Sequence, residues 1–156
     1  ELQDYFSRNI PDQGPARVVH GDYGLHNCLI GSGGHVTAVV DWEISTLGDP
    51  LADLAYALNQ WADPGDWRHE APTNLPGFPM KAELAARYAA RSGRDLSMLE
   101  YYVGFNWWET ACIVHGVYAR YCAGKKSAVG ADLDNLRMRI GKALDLSSEA
   151  VANIRN

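Results

Sequence analysis

Asp22 and Asn27 lie five positions apart in the run His20-Gly21-Asp22-Tyr23-Gly24-Leu25-His26-Asn27, and Asp41 follows in Val39-Val40-Asp41-Trp42-Glu43. A carboxylate can take the proton of a hydroxyl nucleophile. A carboxamide and a second carboxylate offer the hard oxygen atoms that Mg²⁺ prefers, and few are needed because that ion keeps waters and binds nucleotide phosphates as well. Together they make the set that metal-assisted phosphoryl transfer requires, a reaction in which the protein positions reactants and neutralises charge. Taken singly, each residue has an ordinary explanation: Asp22-Tyr23-Gly24 suits an Asx-type turn, and Asp41 suits a helix cap. Taken with the segment between them and with Gly48-Asp49-Pro50 just beyond, they fit one constellation far better than three coincidences.

The elements that must position these residues follow from local pattern. Arg17-Val18-Val19-His20 is a short β-rich run leading into the Asp22 turn, and Cys28-Leu29-Ile30 leads to a flexible tip, Gly31-Ser32-Gly33-Gly34. Residues 35–40 return as the second arm of a hairpin, so closing it brings Asp22 and Asn27, before one arm, to Asp41, after the other. The glycine cluster lacks a following helix and Lys and is a weak phosphate-loop signal. Asp49 suits an N-cap and Pro50 a first helical position, with Leu51, Leu54, Ala55 and Leu58 on one face of a helix reaching about Trp61. Asp53 sits in its first turn, where the helix dipole favours a carboxylate. Residues 63–79 are rich in Pro and Gly and read as an irregular loop bordering an acceptor pocket. Helices are expected from Lys81 to about Arg91, closed by Gly93, from the Ser97-Met98-Leu99-Glu100 capping-box spacing through about Cys122, and from Leu133 to Leu146. The aromatic residues of the long helix read as core. Glu109 and His115 face different sides of it and do not form a metal pair.

The run His20-Gly21-Asp22 with Asn27, followed by a hydrophobic strand ending in Asp41-Trp42-Glu43, resembles the aminoglycoside phosphotransferase and choline kinase superfamily. The stretch from Asp41 to Ala55, with Gly48-Asp49-Pro50-Leu51-Ala52-Asp53-Leu54, looks like the subgroup related to the kinase-like domain of some acyl-CoA dehydrogenases. The resemblance implies an α+β fold: the mainly helical C-terminal lobe of a protein-kinase-like fold, with a small β-hairpin carrying the catalytic loop. It implies transfer of the γ-phosphoryl group of ATP or GTP to a hydroxyl of a small molecule, with Asp22 as catalytic base and Asn27 and Asp41 as Mg²⁺ and nucleotide ligands. His20 then braces the catalytic turn, and Asp49 is a support holding the helix against the catalytic loop. Glu43 is either a contact on the acceptor side or a loop carboxylate facing water. A nucleotide-phosphate lysine of the Val-Ala-Ile-Lys type is not found, so the chain reads as a single partial C-terminal lobe, residues 1–156, with its nucleotide-binding N-terminal lobe missing upstream.

Composition bounds the alternatives. At 156 residues the chain suits one domain, with 14 basic and 19 acidic side chains and a net charge of −5. That balance, without a basic block beyond Lys125-Lys126, argues against nucleic acid as partner. Three cysteines without metal-like spacing read as free thiols of a cytoplasmic protein. No apolar run reaches the roughly 18 residues of a membrane span. Two other classes stay open: a catalytically silent kinase-like binding module, and a metal-dependent phosphohydrolase, which would want more clustered His and Asp ligands. The acceptor stays open among aminoglycosides, choline, sugars, hydroxy acids and acyl thioesters. Similarity to the dehydrogenase-fused subgroup favours the acids, and the negative charge favours a cationic aminoglycoside.

Overall fold

The structure, a computed structural model, describes residues 1–68, 71–125 and 131–155. Part of the expected 63–79 loop and Lys126 of the lysine pair lie outside the described residues. The chain is α+β and mainly helical, and it forms two compact units, Pro11–Tyr102 and Glu1–Ile10 with Val103–Asn156.

The first unit carries all of the strands found among the described residues. Strand β1 (Arg17–Val19) pairs antiparallel with β4 (Thr46–Gly48), and between them in sequence β2 (Cys28–Ile30) pairs antiparallel with β3 (Val36–Val39). The expected hairpin is therefore present, with a register irregularity between Leu29 and Ile30 and a tip closed by the Gly31 N–H donating to the His35 carbonyl at 3.0 Å. The outer pair was not readable: three residues of Thr-Leu-Gly carry no alternation, and their partner lies far away in sequence. Nesting one ribbon inside the other sets the segment after β1 beside the segment after β3.

Helix α2 (Leu51–Gln60) follows, with Leu51, Ala55 and Leu58 buried one turn apart. Its start is held by buried Asp49, whose Oδ1 accepts from the Leu51 N–H at 3.0 Å. The Arg68 guanidinium donates to the carbonyls of Asn59 and Trp61 at its other end. Cations at a helix C-terminus satisfy orphan carbonyls and complement the dipole. The following loop is pinned rather than loose: Thr73 Oγ1 accepts from the Ala62 N–H at 2.8 Å, and the Trp61 indole donates to the Pro79 carbonyl at 2.8 Å. Helix α3 (Lys81–Ser92) ends at Gly93, whose φ of 67° is the left-handed cap its sequence promised. Helix α4 (Leu99–Cys122) opens with buried Tyr101 and Tyr102. The Tyr102 hydroxyl donates to Asp49 Oδ2 at 3.1 Å. Burial and the Asp49 charge push that phenol well above its ordinary range, so it remains a donor.

In the second unit, α1 (Leu2–Arg8) buries Phe6 with its ring 5.6 Å from Phe105 and 6.1 Å from Trp108 of α4. Helix α5 (Leu133–Arg155) runs well beyond the expected Leu146 and buries Ala143, Ser147, Ala150 and Val151. These small residues let it approach Gly104, whose carbonyl accepts from Ser147 Oγ at 2.8 Å. Most aromatics of α4 beyond Tyr102 are half-buried; its deeply buried residues in this unit include Gly104, Asn106, Ala111 and Val114.

Candidate active site

The turn after β1 is built around His20, which is 1% exposed. Its backbone N–H donates to Asp53 Oδ2 at 2.6 Å, and the Gly21 N–H donates to Asp53 Oδ1 at 2.9 Å. A carboxylate from the first turn of α2 thus grips two successive amides of the loop with charge-assisted bonds. The His20 ring bridges the other way, with Nε2 bonded to the Val40 carbonyl at 2.8 Å and Nδ1 accepting the Asp22 N–H at 3.2 Å. Those partners place the ring proton on Nε2. Gly21 reverses the chain between them with φ 86°, a left-handed conformation that suits glycine. Trp42 lays its ring 4.6 Å from His20 and donates its indole N–H to the Val39 carbonyl at 2.8 Å.

The loop then presents Asp22. Asn27, 6% exposed at the end of a 3₁₀ turn (Leu25–Asn27), donates its amide to the Asp22 carbonyl at 2.9 Å and to Asp22 Oδ2 at 3.1 Å. His26 Nε2 lies 3.2 Å from the same oxygen. Burial alone would raise the Asp22 carboxyl, but hydrogen bonds from Tyr56, His26 and Asn27, with the His26 charge, outweigh it and hold the group below its ordinary value. Asp22 is therefore ionised at neutral pH.

Asp41 is brought to this loop through its neighbour. The Val40 N–H donates to the Asn27 carbonyl at 2.9 Å while the Val40 carbonyl bonds His20, so the backbones carrying Asn27 and Asp41 are tied one residue apart. Asp41 is exposed and, among the described residues, is the non-glycine residue with positive φ, at 66°. Strain of this kind concentrates at sites where a side chain must be aimed. Glu43 is exposed in the turn closed by the Ser45 N–H on the Trp42 carbonyl, and it does not line the cavity beside the loop. Asp49 makes its contacts with Leu51 and Tyr102; the carboxylate that grips the loop is that of Asp53.

That cavity, of about 750 Å³, lies between the loop, α2 and α3. Leu54, Ala57 and Leu58 give it an apolar wall, His26 forms part of its edge towards Asp22, and Arg87 and Arg91 of α3 bring two cations to it. A pocket of this size with few polar groups is what small-molecule sites look like.

The sequence model of the phosphotransferase enzyme family matches residues 1–102. The chain belongs to that family. Acyl-CoA dehydrogenase family member 10 of Mus musculus is 34% identical over 83% of this chain and 13% of its own length. Acyl-CoA dehydrogenase family member 11 of Gallus gallus is 33% identical over 82% of this chain and 18% of its own. The probable acyl-CoA dehydrogenase IBR3 of Arabidopsis thaliana is 32% identical over 82% of this chain and 17% of its own. The chain thus spans less than a fifth of these relatives. Family membership carries a kinase-like phosphotransfer role in general terms.

For a phosphotransferase of this family the donor set suits Mg²⁺. Among the described residues no group of three His, Cys, Asp or Glu side chains converges on a metal position. Mg²⁺ needs no such cage, since one or two protein oxygens suffice when phosphates and water supply the rest. Both bonds that Asn27 donates go to Asp22, which orients the amide and leaves Oδ1 as its remaining ligand atom. Sequence reading placed Asp53 in the first turn of the helix without giving it a role at the loop, and it passed over Tyr56 and His26. For Asp53 the signal was a first-turn carboxylate on the helix after Gly48-Asp49-Pro50; for Tyr56 and His26 nothing in spacing or type marked them.

No helix among the described residues is long and apolar enough to cross a membrane. Cys28, Cys112 and Cys122 are free thiols.

Proposed function

We propose that this chain is the catalytic lobe of a kinase that moves the γ-phosphoryl group of ATP or GTP to a hydroxyl of a small molecule. The observation that carries the reading is the bonding of Asp22, Asn27 and the Asp41 segment into one unit through Val40. The acceptor oxygen attacks the γ-phosphorus, the bond from that phosphorus to the bridging oxygen breaks, and the nucleoside diphosphate leaves with the bridging oxygen. Asp22 takes the hydroxyl proton, ionised for the purpose by its three donors. Asn27 Oδ1 and the Asp41 carboxylate would hold Mg²⁺, which when bound neutralises charge on the phosphate oxygens.

The acceptor pocket is the cavity beside the loop. Its apolar wall and the Arg87 and Arg91 pair suit an anionic hydroxyl compound with an apolar body, a hydroxylated acid or its acyl thioester, over a cationic aminoglycoside. The relatives, acyl-CoA dehydrogenases by name, support the same class. The nucleotide lobe lies outside this chain, to be supplied by the rest of a longer protein. The cross-strand pair Val18 and Leu47, 64% and 71% exposed, and Leu29, Ile30 and Val36 on the inner ribbon offer apolar surface for it.

The test is transfer from MgATP or MgGTP, in the full-length protein, to hydroxy acids, hydroxyacyl thioesters, choline, sugars and an aminoglycoside. Asp22→Ala should lower kcat by about 10²–10⁴-fold and leave nucleotide affinity nearly intact, whereas Asp41→Ala should weaken metal-nucleotide binding itself. Nucleotide binding without transfer to any acceptor would favour a silent binding module, and phosphate release without an acceptor would favour a hydrolase.

A further inference from the structure

Asp22 Oδ2 accepts from Asn27 Nδ2 at 3.1 Å and has His26 Nε2 3.2 Å away as an ion-pair partner, and the carboxylate is also bonded by Tyr56. Asn27 is buried and committed to the loop, but His26 is half-exposed and lines the apolar cavity, so it touches both the base and the space from which an acceptor arrives. Gly24 makes this possible, because a Cβ at that position would lie only 2.8 Å from the His26 ring.

We propose that His26 is a positioning residue for the transfer step: its ring at Asp22 Oδ2, acting with Asn27 and Tyr56, fixes the orientation of the carboxylate toward the hydroxyl of a compound bound in the cavity. This rests on the kinase reading above. The argument is geometric. Without His26 the carboxylate is held by Asn27 and Tyr56 alone, so the fraction of bound acceptor meeting a correctly oriented oxygen falls. A small misplacement of a base costs rate without costing nucleotide affinity.

The test compares His26→Ala and His26→Gln with wild type and Asp22→Ala in the full-length protein, measuring kcat, KM for MgATP, KM for the acceptor and Tm. His26→Ala is expected to lower kcat by about tenfold with KM for MgATP and Tm near wild type, because the ring is half-exposed and its removal leaves no buried cavity. His26→Gln keeps an N–H donor of similar reach and should recover most of the lost rate. Equal losses in the two variants, or losses that follow Tm, would show a merely structural role and overturn the proposal. So would a His26→Ala kcat within twofold of wild type. In either case a collapsed Asp22→Ala rate would leave the kinase reading standing, whereas an unimpaired Asp22→Ala rate would end both.

Discussion

Gly24 separates His26 from Gln60 by having no side chain: a Cβ there would meet Gln60 Oε1 at 2.5 Å and His26 Cε1 and Nδ1 at 2.8 Å. The Gln60 amide is the far end of a flexible chain and can swing away cheaply. The His26 ring cannot give way without leaving Asp22. Gly24→Ala is therefore expected to change stability by less than about 1 kcal/mol, the usual scale for a substitution that displaces only mobile side chains. It should lower kcat several-fold, in the manner of His26→Ala. The two changes act on one hydrogen bond, so the double variant should be no worse than the poorer single one. Additive losses in a double-mutant cycle would mean that Gly24 matters for some other reason, such as room for the acceptor. That Asp22, Asn27 and Asp41 come together could be read from the sequence, where type and spacing coincide. The place of His26 could not be read, because it depends on a 3₁₀ turn folding its ring back over four residues.

Helix α2 is the brace of the site. One face sends Asp53 to the loop backbone and Tyr56 to the Asp22 carboxylate, and its N-terminus is fixed by Asp49 and its C-terminus by Arg68. Asp53→Ala removes both acceptors from the His20 and Gly21 amides, which should destabilise the protein by about 2–3 kcal/mol on the scale of hydrogen bonds to a charged group. Because the loop carries Asp22, kcat should fall at least about tenfold with nucleotide affinity retained. Asp53→Asn, with a single acceptor oxygen, should lie between. A Tm series and steady-state kinetics on the three proteins check this, and full activity in Asp53→Ala would mean the loop holds its shape without the clamp. The sequence announced α2 and α3 through apolar spacing and Gly93, and the inner hairpin through its glycine tip. It was silent on α1, seven residues with few apolar positions, and on β4, which exists only because β1 lies beside it. Short elements of that kind draw their stability from tertiary partners, not from local propensity.

At the scale of the whole chain, fold class followed from the family resemblance carried by the Asp22, Asn27 and Asp41 motifs, whereas the length of α5 depended on packing against Gly104 that no periodicity encodes. The response of the whole fold to acid can be argued from its carboxylates. Burial would raise the Asp66 carboxyl, but Arg68 at 2.8 Å and Lys81 at 3.1 Å outweigh it and hold the group well below the ordinary carboxylate range. Asp22 is lowered too. A carboxyl whose folded pKa lies below its unfolded value binds more protons unfolded than folded, so its contribution is complete above the unfolded value of about 3.9 and fades as pH falls towards the folded one. The protein should accordingly lose stability steeply below about pH 4. Asp66→Asn removes the largest of these contributions and also loosens Arg68 from its place under the end of α2. At neutral pH the variant should lose about 1–3 kcal/mol, which for a chain of this length lowers Tm by about 2–4 °C per kcal/mol. Between about pH 5 and pH 3 its Tm should fall less steeply than wild type, because over that interval the unfolded wild-type chain takes up a proton at Asp66 while the folded one keeps it ionised. Parallel curves across that interval would mean that Asp66 is not held in its ionised form by Arg68 and Lys81, and that the acid sensitivity comes from elsewhere.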